Sequence, residues 1–171
     1  MNLVKALLKE HSKAQCNRIV EYIGTDKDRF EELVNVFITS TFRVTQRAAW
    51  PLSYCAEYHP ELIKPHLKKL IHNLKRPGLH DAVKRNTVRL LQFISIPKSL
   101  QGVTAQVCFD LLQNRKEPIA VRVFAMTVLS NIAKDQPELK SELKIIIEDN
   151  MPYGSAGFVS RGRKILKDLK D

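Results

Sequence analysis

A chain of 171 residues with 44% hydrophobic and 27% charged residues has the size and composition of one ordinary globular domain. It is long enough to bury a core without disulfides or a metal, and six glycines and eight prolines exclude a collagen-like or low-complexity chain. Twenty-eight basic against eighteen acidic residues leave a net charge of +10, which permits an anionic partner without requiring one. Aromatic residues reach only 7%, and the abundance of Leu, Ile, Lys and Glu favours helix. Cys16, Cys55 and Cys108 form neither a CxxC pair nor an even framework, so reduced thiols and a cytoplasmic location are expected. The apolar start over residues 2–8 is broken by Lys5 and followed by Lys9 and Glu10. It is too short and too charged for an export signal, and no run approaches the ~18 apolar residues of a membrane span. No membrane partner is expected.

In chain order, residues 3–8 and 12–23 read as a degenerate opening pair of helices that ends in Gly24, a C-cap residue. Residues 30–40 follow, with Phe30, Leu33, Val34, Phe37 and Ile38 on one face, and then residues 44–55. A helix over 60–74 carries Leu62, Ile63, Leu67, Leu70, Ile71 and Leu74 and precedes another over 83–94. Helices over 100–114, 121–132, 137–150 and 158–169 complete the chain. Pro60 and Pro137 each open a Pro-Glu-Leu, which suits a first helical turn. The stretches 75–78 and 151–157, punctuated by Pro and Gly, read as turns between helices.

Four of these segments share one spacing. Val44, Ala48, Pro51, Leu52 and Cys55 correspond to Val83, Thr87, Leu90, Leu91 and Ile94 in the second segment. The third repeats the set as Val121, Ala125, Val128, Leu129 and Ile132, and the fourth as Phe158, Gly162, Ile165, Leu166 and Leu169. Each set falls at offsets 0, 4, 7, 8 and 11, which is one face of a helix. Successive starts lie 39, 38 and 37 residues apart, a near-constant period. The pattern predicts an all-α chain of about four to five helical hairpins stacked as an α-α superhelix. A single domain is expected, with a capping hairpin over 1–24 and repeats over 27–58, 60–95, 100–134 and 137–171. Small residues at offset 4, namely Ala48, Thr87, Ala125 and Gly162, let adjacent helices approach closely.

Val121-Arg122-x-x-Ala125-Met126-x-x-Leu129-Ser130 resembles the second helix of a HEAT repeat, which often reads Val-Arg-x-x-Ala-Ala-x-x-Leu-Gly. Val44 with Ala48, Ala49 and Leu52 is similar, with Thr45 in place of the arginine. Val83-Lys84 with Thr87, Val88 and Leu91 is a conservative version. The last segment departs most, with Arg163 where an apolar residue is usual, as suits a terminal repeat whose outer face meets water. The resemblance spans about residues 27–171 and implies a HEAT or related armadillo-like solenoid. In such a solenoid the second helices line the concave side.

No catalytic constellation is legible. The chain has no G-x-x-x-x-G-K-[ST], G-x-G-x-x-G, H-E-x-x-H or G-x-S-x-G. Gly154-Ser155-Ala156-Gly157 follows no strand and reads as a turn. His59, His66, His72 and His80 are separated by 7, 6 and 8 residues, which does not suit two metal ligands on one helix face. The cysteines occupy apolar helix positions and read as small buried hydrophobes. Glu31-Glu32, Glu57 with Glu61, and Glu148-Asp149 lie on separate hairpins and read as solvated faces. DNA glycosylases of armadillo-like shape resemble a groove with catalytic Asp, Trp and Arg, but no Asp lies on the helix of Trp50. No enzyme activity, cofactor or metal is expected.

What remains is a surface. At about 100° per residue, offsets 2, 6 and 9 of each second helix point away from the core. They are Gln46, Trp50 and Ser53, then Arg85, Arg89 and Gln92, then Val123, Thr127 and Ser130, then Ser160, Lys164 and Lys167. The candidate concave binding surface comprises Gln46, Trp50, Arg85, Arg89, Gln92, Thr127 and Lys164. Trp50 and Arg89 share an offset in neighbouring repeats and have the composition of a binding hot spot, unless Pro51 turns the indole into the core. Residues 61–100 hold nine Lys or Arg against Glu61 and Asp81, which accounts for +7 of the total charge. A monomeric, non-enzymatic module binding a protein or peptide, acidic ones included, is the leading expectation. Nucleic-acid binding through the basic stretch 61–100 is the alternative.

Overall fold

A computed structural model describes residues 1–170, and no strand occurs among them. The chain forms two compact units, Met1–Asn86 and Thr87 onward. The first contains α1 (Leu3–Lys9), α2 (Lys13–Ile23), α3 (Lys27–Thr39), α4 (Phe42–Tyr58), α5 (Pro60–Ile63) and α6 (Leu67–Asn73). Helix α7 (Asp81–Leu91) runs across the boundary. The second unit continues with α8 (Lys98–Gln113), α9 (Ile119–Ile132), α10 (Leu139–Asn150) and α11 (Ala156–Asp168).

Each unit is built from helical hairpins. In the first, α3 packs along α4, and α4 also rests on α1 and α2. Phe30, Leu33, Phe37, Leu52, Ile63, Leu67, Leu70 and Ile71 are fully enclosed there. In the second unit α8 packs along α9, and α9 meets both α10 and α11 over Val121, Met126, Leu129, Leu143, Ile147 and Phe158. Most periodic positions are core positions, but Ile94, Leu166 and Leu169 are only half-buried. Ala48, Thr87 and Ala125, all at offset 4, are wholly inaccessible, and Gly162 is buried at the same offset. A Cβ on Gly162 would stand 3.0 Å from Ile147 Cγ2 and 3.6 Å from Met151 Sδ, so a small residue there is a steric requirement.

Several boundaries differ from the sequence reading. The helix expected over 60–74 is two helices, α5 and α6, separated by a 3₁₀ turn at Lys64–His66. Pro65 lies in that turn and has no N–H to donate to the preceding helical turn. Pro137 does not open α10, because the chain from Gln136 makes turn bonds and the helix starts only at Leu139. Helix α7 stops at Leu91, which leaves Gln92 in the following turn and Ile94 beyond it. The turn 151–157 becomes a 3₁₀ turn at Met151–Tyr153 followed by Ser155, whose Oγ accepts from Phe158 N and caps α11. Pro51, by contrast, sits inside α4 without ending it. At Gly24, which caps α2, and at Gly78, in the turn before α7, φ is +49° and +69°, the region that favours glycine.

One bonding pattern recurs. The last carbonyls of a helix have no partner within it and must find one elsewhere. Arg47 Nη1 of α4 donates to Leu7 O and Leu8 O at 3.0 and 3.1 Å, at the end of α1. Thr45 Oγ1 donates to Phe37 O at 3.0 Å, near the end of α3. Arg122 Nε donates to Leu112 O at 2.9 Å, at the end of α8. Thr45 and Arg122 both occupy offset 1 of their segments, and both are buried, at 1% and 5% exposure. The arginine of the Val-Arg motif and the threonine that replaces it therefore perform one task. Arg122 also donates through Nη2 to Asn150 Oδ1 at 2.9 Å, and its guanidinium lies 4.8 Å from the centre of the Phe158 ring.

Two predictions follow from this packing. Ala125→Leu overpacks the α9 interface and costs roughly 1–3 kcal/mol, read as a lower urea midpoint with an unchanged m-value. Arg122→Met leaves Leu112 O without a donor and costs about 3 kcal/mol, whereas Thr45→Val removes one neutral hydrogen bond and costs about 1 kcal/mol. Equal urea midpoints for these last two variants would show that Arg122 is not the stronger bracket.

Candidate interaction surface

In the first unit the outward positions of α4 carry an aromatic run. Trp50 is half-buried and faces His11 edge-on, with ring centroids 5.6 Å apart. Tyr54 follows at 6.4 Å from Trp50, and Tyr58 stacks on Tyr54 at 5.8 Å. Positions 50, 54 and 58 recur every fourth residue, so one helix face brings the three rings into a row. Tyr58 is 59% exposed at its end. Beside Trp50 a shallow surface dent is lined by Leu7, His11, Gln15, Cys16 and Arg47. Pro51 is buried while the neighbouring indole stays at the edge of the core. Gln46 is exposed on the same helix, and Arg85 on α7 is half-buried.

In the second unit Arg89 and Lys164 are exposed and form no ion pair among the described residues. Gln92 and Thr127 are brought together by Arg161, whose Nη1 donates to Thr127 Oγ1 at 2.6 Å and to Gln92 Oε1 at 3.4 Å. Asn131 Nδ2 donates to Gln92 O at 3.0 Å and fixes the turn that carries the glutamine. Gln92 thus reaches the surface from a turn, not from offset 9 of a helix. Ser130 is a further difference: it is 8% exposed, although its offset had placed it on the outward face. The outward side of α9 is partly covered, with Val123 and Thr127 half-buried.

Three residues beside the candidate positions, Arg161, Tyr54 and Tyr58, were not among those singled out by the sequence. The tyrosines had a legible signal in their spacing from Trp50. Arg161 had none, because its partners lie 34 and 69 residues away.

The remaining polar groups are structural. A small cleft near Ile96 is lined by Gln101, which is buried and donates to Ile96 O and to Asp135 Oδ2 at 3.1 and 2.9 Å. Gln136 Nε2 donates back to Gln101 Oε1 at 2.7 Å, so the amide is satisfied at both ends. Among the described residues no three His, Cys, Asp or Glu side chains converge on one point. His66 is half-buried against Phe30, and burial lowers its pKa from the ordinary value. Arg122 is also pushed down by burial, with the charge of Arg115 adding to the effect. All three cysteines are free and buried. Burial raises Cys16 to about 11 and Cys108 to about 12, and Cys55, which also feels Cys16, reaches about 12.

Stacked helical hairpins with a bracketing arginine and small residues at one offset define an α-helical repeat protein. The chain belongs to the HEAT repeat domain family, whose model matches residues 3–169. No curated protein and no solved structure matches it significantly. No described helix is long and apolar enough to cross a membrane.

The thiols give a pH prediction. Their folded pKa values lie above the ordinary 9.0, so the folded state holds them neutral while the unfolded chain ionises first. The stability tied to neutral thiols is complete below about pH 9 and falls as pH rises toward about 12. Urea midpoints are expected to drop from about pH 8 to about pH 10.5, and Cys108→Ala to flatten the decline; an unaltered decline in that variant would assign it to other groups.

Proposed function

We propose that this HEAT repeat chain is a non-enzymatic scaffold module that binds a protein or peptide partner in the cytoplasm. Its binding positions are Gln46, Trp50 and Arg85 in the first unit and Arg89, Gln92, Thr127 and Lys164 in the second. The observation that carries the reading is the aromatic run on α4, where the half-buried Trp50 leads to Tyr54 and the exposed Tyr58. Aromatic side chains with one face packed and one open supply large contact area at little entropic cost, and Trp, Tyr and Arg dominate interface hot spots. Repeat stacks suit this role because they present extended surfaces without a deep, dry pocket. Arg89, Lys164 and Arg161, none of them paired with a carboxylate among the described residues, favour a partner with acidic side chains.

The test is capture of the tagged chain from its native cells, comparing wild type with Trp50→Ala and Arg89→Glu. Each variant should lose a specifically retained protein by tenfold or more while keeping the wild-type melting temperature. Retention of the same protein by Trp50→Ala at the wild-type level would remove the aromatic run from the binding surface.

A further inference from the structure

The segment from Lys64 to Arg76, comprising the 3₁₀ turn, α6 and the turn after it, carries a denser row of exposed cations than α3, α8 or α10. Between Pro60 and Arg76 the exposed side chains include Lys64, Lys68, Lys69, His72, Lys75 and Arg76. The opposite face is Leu62, Ile63, Leu67, Leu70, Ile71 and Leu74, each 7% exposed or less. Amphipathic packing therefore turns all five cations of this segment outward together. The one carboxylate among them, Glu61, turns toward His59, with Oε1 3.6 Å from Nδ1. Lys69 Nζ donates to the Asn35 side chain and Arg76 Nη1 to Asn73 Oδ1, so both are held by neutral groups. Lys64, Lys68 and Lys75 make no ion pair among the described residues.

Solubility alone would spread such charge over all hairpins. Instead α3 exposes Asp28, Glu31 and Glu32 with Lys27 and Arg29, and α10 exposes Glu142, Glu148 and Asp149 with Lys144. On α8 the exposed charges are only Lys98 and Asp110. A smaller cationic excess recurs on α11, where Arg163, Lys164 and Lys167 are exposed against Asp168, and α1 exposes Lys5 and Lys9; the densest row lies between Lys64 and Arg76.

We infer that the outer face of the segment Lys64–Arg76, formed by the 3₁₀ turn, α6 and the turn after it, docks on the phosphate backbone of duplex nucleic acid. Lys64, Lys68, His72 and Lys75 follow one side of the helical path, at intervals of four, four and three residues. From Lys64 to Lys75 the row extends about 16 Å at about 1.5 Å per residue, which spans about five nucleotides of one strand at about 3.4 Å each. No large apolar side chain is exposed between residues 60 and 76, so the face lacks the desolvated anchor that a protein interface needs. It also carries no Phe, Tyr or Trp on which an unpaired base would stack. A row made chiefly of lysines contacts phosphates as point charges and reads no sequence. This surface is separate from the aromatic run on α4 and does not depend on its being a protein-binding site.

The test is fluorescence anisotropy of a short labelled DNA duplex over a range of salt concentrations. Wild type should show a log–log salt slope of about −4 to −5, and Lys64→Gln/Lys68→Gln/Lys75→Gln should flatten it by about 3. These side chains are exposed, so the triple variant should keep the wild-type melting curve. Arg85→Gln/Arg89→Gln, off this face, should leave the slope within about one of wild type. Absence of duplex binding at low salt overturns the inference, as does a slope that the triple variant does not change. Loss of binding confined to the Arg85/Arg89 variant, or tighter binding to a polyglutamate peptide than to the duplex, overturns it as well.

Discussion

Every helix end leaves carbonyls that must be bonded, and in this protein side chains from other helices of the same unit do much of that work. Arg47 reaches the end of α1, Thr45 the end of α3 and Arg122 the end of α8. Gln15 adds a fourth instance, with Nε2 donating to Ala6 O at 2.7 Å. The bond does more than satisfy an acceptor. It sets where α4 lies along α3 and where α9 lies along α8, because a buried carbonyl accepts from only a narrow range of positions. For Arg122 the charge is balanced by helix ends and not by a carboxylate: Leu112 O and Asn150 lie at the C-terminal ends of α8 and α10, where the helix dipole is negative. Arg115 Nε reaches the same Asn150 oxygen at 3.3 Å from a position stacked on Tyr153, which gathers this end of the unit around one acceptor.

Small residues at offset 4 complete that constraint. With Ala48 and Ala125 wholly enclosed and Gly162 against Ile147, the hairpin helices come close enough for side-chain-to-carbonyl bonds to form. A larger residue would hold the helices apart and lengthen those bonds, so close packing and capping are mutually dependent. The repeat period of 37–39 residues reflects the same demand at each hairpin.

Because the core and the caps use the inward faces, the outward faces are free to vary, and they differ from helix to helix. On α4 the outward face is aromatic, and on the segment Lys64–Arg76 it is cationic. Such division is what a repeat architecture allows: each hairpin needs only its neighbours for stability, so exposed positions vary with little effect on the fold.

The helical class, the period and most of the buried positions were legible in the sequence, because burial follows a 3.6-residue periodicity that depends only on local geometry; Ile94, Leu166 and Leu169, expected in the core, are half-buried. The family resemblance was legible from Val121-Arg122 and Ala125 for the same reason. Helix ends were less so: Pro65 split a helix that the apolar pattern carried straight through, while Pro51 did not, although both are prolines. The difference lies in tertiary packing, since Pro51 is buried within a long helix that α1, α2 and α3 hold in place. Of the candidate surface, Gln46, Trp50, Arg89 and Lys164 stood where periodicity put them, at least partly exposed on their helices. Gln92, Thr127 and Ser130 did not follow from periodicity alone. Their exposure depends on where α7 stops and on Arg161, which approaches from a helix 34 residues further along the chain. Local spacing determines which way a side chain points from its own helix; only the folded chain decides what arrives to meet it.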